Sequence, residues 1–93
     1  MARYKVLLSR TALKELKALE DTTQKRMKKS LRKLEEDPFK SRSGADIKKL
    51  IGTQNPVLYR LRVGNYRLIY AVMEKEVKVT EIIHRRKGYS FLE

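Results

Sequence analysis

Residues 58–70 read LYRLRVGNYRLIY and carry the clearest structural signal in this chain. Period-two alternation, the spacing of a strand, begins at Val57 and continues up to Gly64-Asn65. A Gly-Asn pair between two such runs is a two-residue hairpin signal. We therefore predict a β-hairpin whose second strand runs from Tyr66 to about Met73.

The register of this hairpin would place three arginines on one face of the sheet. If Gly64-Asn65 is the loop, Arg62 lies opposite Arg67, and Arg60 lies opposite Ile69. Because alternate residues of a strand share a face, Arg60, Arg62 and Arg67 fall together on what we call the arginine face. The opposite face is the predicted core face and carries Tyr59, Leu61, Val63, Tyr66, Leu68, Tyr70 and Val72.

Such an arrangement is unfavourable for folding alone. Like charges directly opposite in a sheet cost about 0.2–1 kcal/mol per pair. An anion bound between the guanidiniums reverses the sign, and phosphate matches the fork of an arginine side chain. The arrangement therefore favours phosphate binding, and the alternative is that these arginines point outward and are merely solvated.

The residues before the hairpin predict one strand and a helical hairpin. Tyr4–Leu8 is the strand, and Ser9 can cap the following helix. We expect Asp21 to cap a second helix, with Gln24 in capping-box position, and this helix to end before Pro38. The predicted apolar faces of the two helices consist of Ala12, Leu13, Leu16, Leu19, Met27, Leu31 and Leu34.

The remaining segments complete the predicted topology. Residues 39–52 are read as an irregular loop that Ile47, Leu50 and Ile51 attach to the core. After a turn at residues 74–76, a last strand runs from Val77 to about His84, and a basic tail follows. The predicted fold is α+β in the order β-α-α-β-β-β, an antiparallel-rich four-stranded sheet with a helical hairpin packed against it, in a single domain over residues 1–93.

Composition narrows the function. The 93 residues include 23 Lys and Arg against 11 Asp and Glu, a net charge of +12, which predicts a polyanionic partner. Nucleic acid is the first choice of partner. The alternatives are an acidic protein, an anionic membrane surface, or a basic surface that is merely solvated.

With no cysteine and one histidine, we expect no metal site and no cofactor. The N-terminal apolar run is too short for a signal peptide or a membrane span, so we expect a cytoplasmic protein.

Further basic residues stand outside the hairpin. The second helix carries Lys25, Arg26, Lys28, Lys29, Arg32 and Lys33. This surface is either solvated or a docking strip for a large polyanion such as the ribosome. Near the C-terminus, residues 84–89 read HRRKGY. Gly88 lets the chain turn, so Tyr89 could approach the arginine face.

These residues resemble the RelE/ParE superfamily of toxins from toxin–antitoxin systems. The resemblance rests on Tyr-Arg-x-Arg-x-Gly-x-Tyr-Arg-x-x-Tyr over residues 59–70, on Lys-Leu-Ile-Gly over 49–52, and on His-Arg-Arg followed by Tyr over 84–89. For the RelE branch it implies a type II toxin that enters the ribosomal A site and cleaves mRNA there. It also implies three partners: the ribosome with its rRNA, the mRNA, and a cognate RelB-like antitoxin.

The resemblance also assigns site residues. The expected catalytic residues are Arg60, Arg67, Arg85 and Tyr89. From their charge and position rather than from the resemblance, we also expect RNA binding by Arg62, His84, Arg86, Lys87, Lys28, Lys29 and Arg32. Tyr89 could act as a base if nearby cations lower its pKa, or could stack on a base of the codon. Where some relatives have a lysine, two positions before Arg60, this chain has Leu58.

One conflict concerns the last strand. If it runs straight, His84 and Arg86 share a face, whereas the family pattern selects Arg85. A bulge near Thr80-Glu81 would reconcile the two, and Arg85 is therefore preferred to Arg86.

Two other functions remain open. A ParE-like toxin would inhibit DNA gyrase without cutting RNA, and a non-catalytic relative would bind RNA only. The fold alone does not discriminate these possibilities, because they share it. The full set of arginines with Tyr89 favours RNA cleavage.

Overall fold

The computed structural model describes residues 3–50, 52 and 56–85. Two helices and five strands follow one another along this part of the chain: β1 (Lys5–Leu8), α1 (Arg10–Lys17), α2 (Asp21–Glu36), β2 (Asp46–Lys49), β3 (Leu58–Val63), β4 (Tyr66–Met73) and β5 (Glu76–His84). The strands form one sheet in the order β1-β5-β4-β3-β2. β1 and β5 are parallel, and the other neighbours are antiparallel. The α+β prediction is confirmed.

The central hairpin has the predicted register. Val63 pairs with Tyr66, Arg62 with Arg67, and Arg60 with Ile69. Gly64 adopts φ of 58° whereas Asn65 does not have a positive φ, which is the pattern of a type II′ turn with glycine at its first central position, where side chains with a Cβ are disfavoured. The two-residue turn therefore sets which side chains share a face over the whole length of both strands.

The two helices pack on one side of the sheet, which we call the helix face. Ser9 caps α1 as predicted, since its hydroxyl accepts from the Ala12 amide at 2.9 Å. The main core lies between the helices and this face and contains Ala12, Leu16, Met27, Leu31, Leu34, Ala45, Ile47, Leu61, Val63, Leu68, Tyr70, Val77, Val79 and Ile82. Leu13, expected on the apolar stripe of α1, is instead 40% exposed.

The sheet has five strands rather than the predicted four. The additional strand is β2, within the segment predicted as an irregular loop. Only Ile47 of its four residues is buried, so the sequence offers just the polar-apolar-polar run of residues 46–48, which is too short to predict a strand by itself. Ile47 and Leu50 are buried as expected, and Ile51 lies outside the described residues.

The turn between the helices corrects the expected capping box. The N-cap of α2 is Glu20 rather than Asp21, and no side chain caps this helix. The Gln24 side-chain amide instead donates to the carbonyls of Leu19 at 2.8 Å and Lys17 at 3.3 Å. Gln24 therefore ties the connection between the helices instead of closing the first turn of α2.

The chain after α2 is held by buried and local polar contacts. The Asp37 carboxylate accepts from the amides of Phe39 at 2.8 Å and Lys40 at 3.2 Å, and the Phe39 hydrogen bond above all lowers the pKa of Asp37. The buried Tyr70 hydroxyl donates to the Pro38 carbonyl at 2.7 Å. These contacts hold the segment that connects α2, on the helix face, to β2, at the edge of the sheet.

Across residues 3–50, 52 and 56–85, no helix has the length and apolar character needed to cross a membrane.

Candidate nucleic-acid interface

The side of the sheet away from the helices gathers positive charge from three strands. Arg60 and Arg62 come from β3 and Arg67 from β4, with Arg62 directly opposite Arg67. β2 adds two residues to this face, because Lys48 pairs with Arg60 and Asp46 pairs with Arg62. The part of the arginine face formed by β2, β3 and β4 therefore holds four cations and one carboxylate in adjacent positions, and β5 adds a second carboxylate, Glu81, opposite Ile69.

The arginines differ in exposure and in their contacts. Arg60 is buried, with 7% of its surface exposed, and its Nη1 lies 3.6 Å from Asp46 Oδ1. Arg62 is half exposed, with its Nε 3.9 Å from Asp46 Oδ2. Arg67 is partly buried. One carboxylate thus faces two guanidiniums, which orients them while leaving an excess of positive charge.

A small apolar cluster lies on the same side of the sheet. Leu50 and Ile69 are buried there, and Leu58 and Ile83 pack against them. Ile69 pairs directly with Arg60, and Ile83 pairs directly with Arg67. Apolar neighbours exclude water and lower the local dielectric, so they strengthen the attraction between these guanidiniums and an anion.

A bulge in β5 decides which C-terminal residues reach the arginine face. The register shifts between Ile69 and Tyr70: Tyr70 pairs with Val79, but Ile69 pairs with Glu81. The bulge expected near Thr80-Glu81 is confirmed. Ile82 consequently belongs to the main core, and Ile83 lies on the arginine face.

Arg85 continues this register by one residue beyond β5. Its amide donates to the Asn65 carbonyl at 2.8 Å, which keeps it opposite Asn65. Arg85 is exposed and lies just past the end of β5, at His84. Because Ile83, two residues earlier, lies on the arginine face, we infer that the Arg85 side chain points to the same side. Its catalytic role stays a prediction.

His84 lies on the helix face. It pairs with Tyr66, and the two rings meet edge to face with centroids 5.0 Å apart. The structure therefore does not bring His84 together with the arginines with which we grouped it. The physical reason is the bulge, which exchanges the faces of His84 and Arg85 relative to a straight strand.

The expected RNA-binding residues of α2 form a separate basic surface. Lys28, Lys29 and Arg32 are exposed on the helical layer, across the sheet from the arginine face.

A cleft of about 440 Å³ lies between α2, the turn before β2 and the β3–β4 hairpin. It is lined by Arg26, Lys29, Ser30, Lys33, Arg42, Gly44, Ala45, Asp46, Arg62, Val63 and Gly64. Because Lys29 and Arg62 both line it, this cleft connects the two basic surfaces.

Three expected site residues, Arg86, Lys87 and Tyr89, lie outside the described residues, so their roles stay predictions. Sequence reasoning missed Lys48 and Asp46 because it did not predict β2. The signal that could have found them is the polar-apolar-polar run of residues 46–48, which is short but compatible with an edge strand.

Comparison with known proteins identifies the family. The family model described as the ParE toxin of the type II toxin–antitoxin system parDE matches residues 6–89. The protein named Toxin RelE3 of Methanocaldococcus jannaschii is 32% identical over 87 residues, covering 94% of this chain and 97% of that protein.

Solved structures agree with this family. The archaeal RelE–RelB complex from Pyrococcus horikoshii matches with a TM-score of 0.78 and 32% identity, covering 92% of this chain and 99% of the matched chain. The E. coli RelBE toxin–antitoxin complex matches with a TM-score of 0.60 and 30% identity, covering 87% and 95%. This chain belongs to the RelE/ParE superfamily of toxins of type II toxin–antitoxin systems.

Proposed function

We propose that this toxin is a ribosome-dependent endoribonuclease that cleaves mRNA in the ribosomal A site and so inhibits translation. The observation that carries the proposal is the arginine face, where Arg62 lies directly opposite Arg67 and beside the buried Arg60. Opposed guanidiniums repel each other, the Asp46 carboxylate offsets only part of this charge, and a bound phosphodiester would add further negative charge between them.

The proposed reaction uses the RNA's own nucleophile. The 2′-hydroxyl attacks the adjacent phosphorus, the bond to the 5′-oxygen of the next nucleotide breaks, and the products are a 2′,3′-cyclic phosphate and a 5′-hydroxyl. The protein must align the attacking oxygen, move one proton from the nucleophile and one to the leaving group, and stabilise the pentacoordinate phosphorane.

Each residue has a proposed role. Arg62 and Arg67 hold the non-bridging phosphate oxygens, where fixed donors are worth most as negative charge develops. Arg60, whose Nη1 lies 3.6 Å from Asp46 Oδ1, supplies positive charge from its buried position in the sheet. Arg85 neutralises or protonates the leaving oxygen. Tyr89 is the proposed base, or a surface on which a base of the codon stacks.

The proposed dependence on the ribosome is supported by the small number of candidate acid and base residues in the chain. A stand-alone ribonuclease commonly pairs two histidines, or a histidine and a lysine, as acid and base. The only histidine of this chain, His84, lies on the helix face. We propose that the ribosome holds the mRNA in the orientation needed for attack. Aligning a flexible RNA strand in this way is costly because the strand loses conformational freedom. The basic surface of α2 suits contact with rRNA phosphates.

The direct test is primer extension on an mRNA during induced expression. Wild-type protein should produce new 5′ ends within translated codons, and Arg67→Ala should abolish them. Lys5→Ala is the matched control, since Lys5 is an exposed cation at the far edge of the sheet, paired with Glu76. Intact mRNA with wild-type protein bound to ribosomes would instead support a non-catalytic RNA-binding relative.

A second candidate function is inhibition of DNA gyrase. It is favoured by the description of the matching family model, which is a ParE toxin. The discriminating measurement is supercoiling of a relaxed plasmid by gyrase with and without the protein. Inhibition at stoichiometric protein, with mRNA uncut, would select the gyrase inhibitor.

We also infer a RelB-like antitoxin as the cognate partner. The relatives from P. horikoshii and E. coli were solved as complexes with RelB. The net charge of +12 suits a partner with acidic segments. We expect an acidic protein encoded by an adjacent gene to co-purify with this toxin and to suppress its toxicity.

A further inference from the structure

We propose that Glu15, on α1, is a positioning residue that holds the bulge of β5 and thereby keeps Arg85 on the arginine face. The inference rests on the proposed function for its consequence in catalysis. Its structural content concerns the backbone of β5 and can be tested separately.

The bulge controls the orientation of everything that follows it in β5. With straight pairing from Val79 onward, Glu81 would lie opposite Leu68 on the helix face, and His84 would lie opposite Asn65. The observed shift instead places Ile82 opposite Leu68 and Arg85 opposite Asn65. One additional residue therefore determines whether His84 or Arg85 is presented beside Arg67.

Side chains from α1 and its cap bind the polar groups of this bulge. Glu15 Oε1 accepts from the Ile82 amide at 2.8 Å. The Ser9 hydroxyl donates to the Thr80 carbonyl at 2.8 Å, while it also caps α1. The Thr80 hydroxyl donates across the ladder to the Ile69 carbonyl at 3.2 Å.

The position of Glu15 explains why a side chain is needed there. The ladder between β1 and β5 ends at the pair Leu8 and Val79, after which the Ser9 amide donates to the Val79 carbonyl at 2.9 Å. From Ser9 the chain turns into α1. The outward-facing Ile82 amide lies past this point, and the Glu15 carboxylate takes the place of a strand carbonyl.

A carboxylate suits this contact better than a neutral acceptor. A hydrogen bond from a backbone amide to an ionised oxygen is about twice as strong as one to a neutral oxygen. It joins residues 67 positions apart, so it ties α1 to the end of β5 that leads directly to Arg85. Loss of Glu15 should leave the sheet intact and loosen this end.

The first experiment compares Glu15→Ala with Glu15→Gln in ribosome-dependent cleavage. We expect kcat to fall about tenfold for Glu15→Ala, the ratio that corresponds to about 1.4 kcal/mol, with KM changed by less than about twofold. Glu15→Gln keeps a side-chain acceptor and should recover most of the rate. Glu36→Ala removes an exposed helix carboxylate and so matches the change in charge.

A double-mutant cycle with Arg85→Ala then tests the route. If Glu15 acts through Arg85, adding Glu15→Ala to Arg85→Ala should lower kcat no further. Losses that multiply, or an unchanged rate for Glu15→Ala alone, would overturn the inference.

Amide hydrogen exchange separates this inference from the proposed function. In Glu15→Ala the amides of Ile82 and Arg85 should exchange at least about tenfold faster, while those of Leu61 and Leu68 in the central hairpin should not change. Equal exchange at Ile82 and Arg85 would refute the positioning role. If the wild-type protein cuts no mRNA but the exchange difference is present, the proposed function fails and the structural role of Glu15 stands.

Discussion

The opposed pair Arg62 and Arg67 should show a separation between stability and activity. In Arg62→Thr, relief of the cross-strand repulsion returns about 0.2–1 kcal/mol. The change also removes the 3.9 Å contact with Asp46, whose partners are both half exposed, a pair worth about 0–1 kcal/mol. Threonine suits a strand. The two effects nearly cancel, so the free energy of unfolding should change by less than about 0.5 kcal/mol.

Activity should respond quite differently to the same substitution. Removing a charged donor from a phosphate loses about 1.5–3 kcal/mol, so cleavage should fall roughly 10- to 150-fold. Affinity for single-stranded RNA should also lose about 0.7 from its logarithmic salt slope, the value for one phosphate contact.

Urea unfolding followed by circular dichroism, ribosome-dependent cleavage and a salt titration of RNA binding would measure these three quantities. Lys5→Thr is the control and should change none of them, since Lys5 is an exposed cation on the edge strand β1, separated from Arg62 and Arg67 by β5 and most of the length of β4. Destabilisation of Arg62→Thr by more than about 1 kcal/mol would show that Arg62 is structural. Undiminished cleavage would refute the proposed role of the pair.

Three further predictions concern the scaffold. Tyr70→Phe removes the buried hydroxyl at 2.7 Å from the Pro38 carbonyl and should cost about 1–2 kcal/mol in urea unfolding; a cost near zero would contradict the importance of this contact. Gly64→Ala places a Cβ at a φ of 58° and should cost about 1 kcal/mol in thermal unfolding; an unchanged melting temperature would contradict the need for glycine at this position. The lowered pKa of Asp37 means that its stabilising effect is complete above the ordinary value of 3.8 and is lost as pH falls through the native pKa. The stability advantage of the wild type over Asp37→Ala should therefore shrink below about pH 4, and an advantage independent of pH would argue against the Asp37 hydrogen bonds.

The sequence by itself determined the features that depend on neighbouring residues. The Gly64-Asn65 turn defines the register of the hairpin, and that register alone places Arg60, Arg62 and Arg67 on one face. The Ser9 cap and most of the apolar helix faces were predicted for the same reason. Helical period, strand alternation and two-residue turns are local, so residues close in the chain are enough to specify them.

Only the tertiary structure decided the features that depend on distant partners. β2 forms because β3 satisfies its backbone, and it brings Lys48 and Asp46 to the arginine face. The direction of β5 after its bulge depends on Glu15, which lies 67 residues before Ile82. Two effects favour the register that directs Arg85, and not His84, to the arginine face. One is this contact, and the other is the free-energy cost of burying the Glu81 carboxylate on the helix face, which a strand without the bulge would require. Backbone groups must be paired wherever they are buried, and the partner that pairs them need not be near in sequence.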